Sequence, residues 1–128
     1  NPVTMRAGIA AMELLDDAAF ARLDAMGEAV RSGIGAAFKR HGVPGGTVGL
    51  GSLLKIHFAD RPVRDYRSAY LSEEEARRQA VFNRALLNRG VLAAGNGLMA
   101  LSTPMTDADK HAIIDAASGA LEEVAGTL

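Results

Sequence analysis

Thr47-Val-Gly-Leu-Gly-Ser-Leu-Leu-Lys-Ile-His-Phe58 is the stretch on which the fold turns. From Leu53 onward, Leu54, Ile56 and Phe58 fall on one side of an extended chain and Leu53, Lys55 and His57 on the other. A period of two marks a strand. Gly51 and Ser52 split the stretch into two strands, Thr47–Leu50 and Leu53–Phe58. One face apolar and the other mixed describes a sheet covered on one side.

Upstream, His41-Gly-Val-Pro-Gly-Gly46 is a stop and turn, and it ends a long helical pattern. Asp16 and Asp17 can cap that helix, which runs to about Arg40 with Phe20, Leu23, Val30, Ile34 and Phe38 at three-and-four spacing. Gly27, Gly33 and Gly35 lie inside it. Each costs on the order of 1 kcal/mol of helix propensity relative to Ala, so close packing is the expected compensation. An earlier helix begins with Asn1 as cap and Pro2 at its first position, and runs to about Leu15. Its Val3, Met5, Ile9, Met12, Leu14 and Leu15 go round the cylinder instead of marking one stripe, which predicts burial on several sides.

Downstream, a loop with Arg61-Pro62 and Asp65-Tyr66 leads to Ser72-Glu-Glu-Glu75, a capping box for a helix ending near Gly90. Val81, Phe82, Ala85, Leu86 and Leu87 form its apolar side. Val91–Ala94 and Leu98–Leu101 read as two short strands around Gly95-Asn96-Gly97, since Asn-Gly is a strong hairpin signal. Thr106-Asp-Ala-Asp109 then caps a last helix with Ile113, Ala117, Leu121 and Val124 on one face. The predicted order is α-α-β-β-α-β-β-α: an α+β domain, residues 1–128, with a small antiparallel sheet and helices on one face.

At 128 residues and 13.4 kDa the chain has the size of one domain, and 48% hydrophobic residues argue against disorder. A net charge of -1 with both signs interspersed gives no field for nucleic acid or an anionic membrane. No apolar run approaches the roughly 20 residues of a membrane span. The absence of Cys excludes disulfides and thiolate chemistry and leaves the cytoplasm as the default compartment. The start at Asn1 without Met, directly in helical sequence, reads as a cut end or a removed leader.

No catalytic motif is visible: the chain has no G-x-S-x-G, no P-loop and no H-E-x-x-H. His41, His57 and His111 are too scattered for a metal site; His57 is expected as a surface or interface residue, and His41 and His111 as solvated helix residues. Glu73, Glu74 and Glu75 are explained by capping and the helix dipole without any ligand. Met5, Met12 and Met26 are expected to fill apolar contacts. Gly95-Asn96-Gly97 is the segment where backbone could approach a ligand closely, although a plain tight turn is the favoured account of it.

Asn1-Pro-Val-Thr-Met-Arg-Ala-Gly-Ile-Ala-Ala-Met-Glu-Leu-Leu15, with Asn1, Pro2, Ala7, Glu13 and Leu15 in place, resembles the stretch that follows the large domain in class III aminotransferases. Phe82-Asn-Arg-Ala-Leu-Leu-Asn-Arg-Gly-Val91 resembles the family's F-x-x-x-L-L-x-x-G-V/I, and Ser102 with Thr106 to Asp109 its closing pattern. Glutamate-1-semialdehyde 2,1-aminomutase and its relatives look similar through the Gly45-Gly46 strand and the Asp65-Tyr66 loop. The resemblance implies the C-terminal, smaller domain of a fold-type-I enzyme that uses pyridoxal 5'-phosphate. It also implies a homodimer acting on a small amine or keto substrate. The lysine that forms the Schiff base, and the phosphate cradle, would lie in a large domain upstream, joined through residues 1–15. No catalytic or cofactor-binding residue is therefore expected in this chain, and no bound cofactor; Lys39, Lys55 and Lys110 are expected to be solvated.

By the same resemblance, Gly95, Asn96, Gly97 and Leu98 are expected to line the substrate pocket. Many relatives carry an arginine after the G-V/I strand, and aminomutase-like ones a glutamate. Ala93–Ser102 contains no Arg, Lys, Glu or Asp, which places any carboxylate-binding residue outside this chain and makes aminotransferase the safer word than aminomutase. A non-catalytic α+β binding or assembly module is the competing reading.

Overall fold

A computed structural model describes residues 1–127. The elements are α1 (Pro2–Glu13), α2 (Asp17–His41), β1 (Gly46–Leu50), β2 (Leu53–His57), α3 (Tyr66–Ala69), α4 (Glu73–Asn88), β3 (Leu98–Ala100) and α5 (Asp107–Ala125). The strands form one antiparallel sheet in the order β1-β2-β3. Leu50 pairs with Leu53 across the first hairpin, and Leu54 pairs with Met99 across the second ladder. This is an α+β domain with α2, α4 and α5 gathered on one sheet face.

The alternation read in β2 decides what is covered. Leu54, Ile56 and Phe58 are fully buried against Val30, Ile34 and Phe38 from α2, Phe82 and Leu86 from α4, and Leu121 and Val124 from α5. Phe58 sits at the junction, its ring 5.4 Å from Phe38 edge-on and 5.4 Å from Phe82 in a tilted contact. Within the predicted apolar stripes Phe20 and Leu87 are exposed.

The caps work as their residue types demand. Asn1 accepts from the Val3 N–H, Asp16 from the Ala19 N–H, and Ser72–Glu75 and Thr106–Asp109 form reciprocal capping boxes. A further box, Asp65–Ser68, nucleates α3, a single turn in a region expected to be loop.

Two departures concern the sheet. Val91–Ala94 is not a strand; the Val91 N–H donates to the Leu86 carbonyl at 3.1 Å and the Ala94 N–H to the Leu98 carbonyl at 2.9 Å. β3 pairs instead with β2, whose edge was free on that side. The predicted hairpin thus becomes a tight turn, in which the Gly97 N–H donates to the Ala94 carbonyl at 2.8 Å.

The helix glycines divide. A Cβ at Gly27 would lie 1.9 Å from the Gly51 carbonyl oxygen, which also accepts from Arg31 Nη1 at 2.8 Å. A Cβ at Gly33 would meet the end of the Ile114 side chain at 2.7 Å. Gly35 has nothing within 4 Å, so close packing does not explain it. Alanine at 27 and at 35 should therefore act in opposite directions. Gly27→Ala forces β1–β2 away from α2 and should destabilise by about 1–3 kcal/mol, whereas Gly35→Ala should stabilise by up to about 1 kcal/mol. Urea midpoints of the two variants check this, and equal signs would refute it.

No residue of α1 is buried. Val3, Met5, Met12 and Leu14 are between 67% and 79% exposed. The all-round apolar character read in this helix is thus unmatched by any neighbour within the described residues. No helix among them is long and apolar enough to cross a membrane.

Candidate functional site

The sheet face opposite the helices is not bare. After β2 the chain turns back through Arg61, and α3, Tyr70 and Leu71 lie over that face beside the first turns of α4. Together with the Gly95-Asn96 turn they enclose a cavity of about 290 Å³, lined by Lys55, His57, Tyr66, Tyr70, Gln79 and Asn96 among others. Arg61 holds this cover in place. Its Nε donates to the Ser68 carbonyl at 3.0 Å, its Nη2 to the Tyr70 carbonyl, and its Nη1 to Glu75 at 2.7 Å. Glu75 in turn accepts from the Ser72 N–H at 2.8 Å, so the capping box of α4 and the cover share one carboxylate.

His57 corrects the sequence expectation. It was expected on the polar side as an ordinary surface or interface histidine, yet it is only 8% exposed, because the cover folds over its end of the strand. Burial lowers its pKa, and the charges of Lys55 and Arg61 act in the same direction; a backbone hydrogen bond at Ala59 and the Glu75 charge oppose them. The shift favours the neutral imidazole, and the buried Nδ1 has no hydrogen-bond partner. Lys55, expected to be solvated, is half-buried on the cavity wall. His41 is also less solvated than expected, its Nε2 lying 3.0 Å from Ser118 Oγ.

Opposite His57, Gln79 is 3% exposed and its Oε1 is unpartnered. A relay fixes that orientation. Asn83 Nδ2 donates to the Gly95 carbonyl at 2.9 Å, so Asn83 Oδ1 must face Gln79 and accept from its Nε2 at 3.0 Å. The Gln79 carbonyl oxygen is left as a buried acceptor without a donor, a condition native structures rarely tolerate. Among the described residues no group of three or more His, Asp or Glu is placed to hold a metal.

Of the four residues expected at a substrate wall, Gly95 and Asn96 line this cavity. Gly97 is buried beneath them, its carbonyl accepting from the Ile56 N–H at 2.9 Å, and Leu98 opens β3 with its side chain 45% exposed. Asn96 Oδ1 accepts from the Leu98 N–H at 3.1 Å, which leaves Nδ2 as a free donor at the cavity mouth. Tyr66, Tyr70 and Gln79 escaped sequence reasoning; the Asp65–Ser68 capping box was the available signal for the segment that carries the tyrosines.

For a pyridoxal phosphate the set is a poor fit. Lys110 is tied to Asp107 at 2.7 Å and Lys39 is exposed near the end of α2. Lys55 is the sole lysine or arginine on the cavity wall, where a phosphate dianion asks for further donors.

Acidification should weaken the fold in two stages. His57 has a folded pKa below its ordinary 6.5. The unfolded chain therefore binds the proton first, and stability is lost as pH falls below about 6.5. Burial alone would raise the Glu75 carboxyl, but hydrogen bonds from Arg61, Ser72 and Asp60 outweigh it and hold it below the ordinary 4.5. Its contribution is present above the ordinary value and disappears as pH drops through the lowered one. Urea unfolding across pH 7.5 to 3 should show both stages, with His57→Asn removing the upper and Glu75→Gln the lower. A single acid stage unaffected by His57→Asn would contradict the assignment.

The architecture is a three-stranded antiparallel sheet with helices on one face and a covered cavity on the other, and the comparisons show what it is similar to. No family model matches the chain. It is 37% identical over 127 residues to the glutamate-1-semialdehyde 2,1-aminomutase of Anaeromyxobacter dehalogenans, covering 98% of this chain and 29% of the relative. An omega-transaminase from Sphaerobacter thermophilus superposes with a TM-score of 0.92 at 40% identity, over 97% of this chain and 28% of that one. A transaminase solved with pyridoxal phosphate bound gives 0.82 at 29% identity, over 99% and 28%. Over nearly its whole length the chain is thus similar to one stretch of glutamate-1-semialdehyde 2,1-aminomutases and of transaminases, one of them solved with pyridoxal phosphate bound. It spans just over a quarter of the length of these relatives.

Proposed function

We propose that this chain is the small domain of an aminotransferase that moves an amino group between an amine or amino acid and a carbonyl acceptor. The observation that carries the reading is the agreement of nearly the whole chain with solved transaminases, at a TM-score of 0.92. In this reading residues 1–128 form one domain, and residues 1–15 are the connection from a large domain that packs over the exposed apolar side chains of α1. That domain supplies the lysine and phosphate cradle for pyridoxal phosphate, which when bound acts as the electron sink of the chemistry. The present residues contribute a wall: Gly95, Asn96, Gly97 and Leu98 border the substrate, and the protein works as a cytoplasmic homodimer.

An intramolecular amino shift is the second reading, favoured by the aminomutase names of relatives at 37% identity. Against it stands the absence of any acidic side chain in Ala93–Ser102, where the resemblance places a glutamate.

Full-length protein supplied with pyridoxal phosphate and a panel of amines and keto acids tests the proposal. Transfer of the amino group to a separate acceptor supports it, and turnover only of glutamate-1-semialdehyde selects the second reading. The 128-residue chain alone, mixed with the cofactor and reduced with borohydride, should show no stoichiometric label at Lys39, Lys55 or Lys110. Full labelling of one of them would overturn the assignment of the cofactor to the large domain.

A further inference from the structure

The cavity wall carries four polar features that the fold does not use. Gln79 Oε1 and His57 Nδ1 are buried without partners. Asn96 Nδ2 is free because its Oδ1 is engaged by Leu98. Lys55 stands on the same wall, and no acidic side chain lines the cavity to neutralise it.

Each feature specifies part of an occupant. A lysine and a free amide N–H on one cavity wall, with no carboxylate lining it, ask for a singly charged anion of carboxylate size. An amide oxygen that cannot turn, because Asn83 and two backbone carbonyls fix the relay, asks for an N–H or O–H donor. Ala69, Leu71, Ala76 and Ala80 supply apolar wall, and Tyr66 and Tyr70 stand at the rim with ring centroids 6.4 Å apart. A volume of about 290 Å³ suits a small molecule.

We infer that this cavity is a binding site for a small carboxylate with an apolar body and one N–H or O–H donor, in which Lys55 and Asn96 hold the carboxylate and Gln79 takes the donor. This deepens the aminotransferase reading and rests on it for the identity of the occupant as substrate, since the site shares Gly95 and Asn96 with the proposed substrate wall. It also relocates the charge partner. Residues 93–102 contain none, and the sequence alone placed it in another part of the protein, whereas Lys55 reaches the same cavity from the neighbouring strand.

The test is a titration of full-length protein with 3-hydroxybenzoate, benzoate and 3-hydroxybenzamide, read by calorimetry and by the imidazole resonances of His57. The hydroxybenzoate should bind and shift those resonances. Lys55→Met should weaken both carboxylates roughly tenfold, the scale of one charge-assisted contact, and leave the amide unchanged; Lys55→Arg should restore carboxylate binding. Gln79→Met should erase the advantage of 3-hydroxybenzoate over benzoate. Equal weakening of the amide by Lys55→Met, or His57 resonances that do not move with any probe, would overturn the inference. Because nothing here depends on turnover, a protein that binds these probes yet transfers no amino group would overturn the aminotransferase reading and leave the binding site standing.

Discussion

Replacing Phe58 by alanine should lower the unfolding free energy by about 3–5 kcal/mol, the range for truncating a fully buried aromatic residue. The ring is fully buried and touches Phe38 and Phe82, so its removal opens a void shared by the sheet, α2 and α4. None of the three elements can collapse into that void alone, because β2 is pinned between β1 and β3. Against a typical domain stability of roughly 5–15 kcal/mol, such a loss threatens folding altogether. Phe58→Leu, which refills most of the volume, should cost less than half as much. Urea unfolding with an unchanged slope measures both, and a loss below about 1 kcal/mol for alanine would remove Phe58 from the centre of the core.

Gly97→Ala should cost about 2–4 kcal/mol, from a left-handed backbone at a non-glycine residue and a backbone clash together. Gly97 has a φ of 82°, and a Cβ there would lie 2.1 Å from the Ile56 carbonyl oxygen and 3.1 Å from Gln79 Nε2. The clash falls on the turn that presents Asn96 and on the relay that orients Gln79, so the variant should also disturb ligand affinity at the cavity. Gly95→Ala is the control, since nothing lies within 4 Å of a Cβ there and its φ is ordinary. Thermal unfolding of the pair should separate them clearly; similar melting temperatures would show that the turn yields.

The parts of the fold that were legible are those set by local periodicity and caps. Leu54, Ile56 and Phe58 announced the buried face of β2, and Ser72–Glu75 and Thr106–Asp109 announced two helix starts. Asn96-Gly97 was read correctly as a turn, but the reading supplied the wrong partner for β3. Hairpin chemistry pairs neighbours in sequence, whereas β2 offered a free edge whose occupant no local pattern names. The cavity was hidden for a related reason. Its cover is a single helical turn, too short for any period, and His57 and Lys55 look like solvent residues until that turn is folded over them. Gln79 looks like any polar helix residue until its amide is fixed by Asn83.

The bare α1 has a consequence for local order. An isolated helix of 12 residues is marginal in water, and α1 adds no buried side chain to hold it. Its backbone amides should therefore exchange with solvent almost as fast as those of a free peptide, while amides of α2 and α5 wait for global unfolding. Slow exchange over residues 2–13 would then report that something covers the helix, which makes this segment a built-in gauge of assembly.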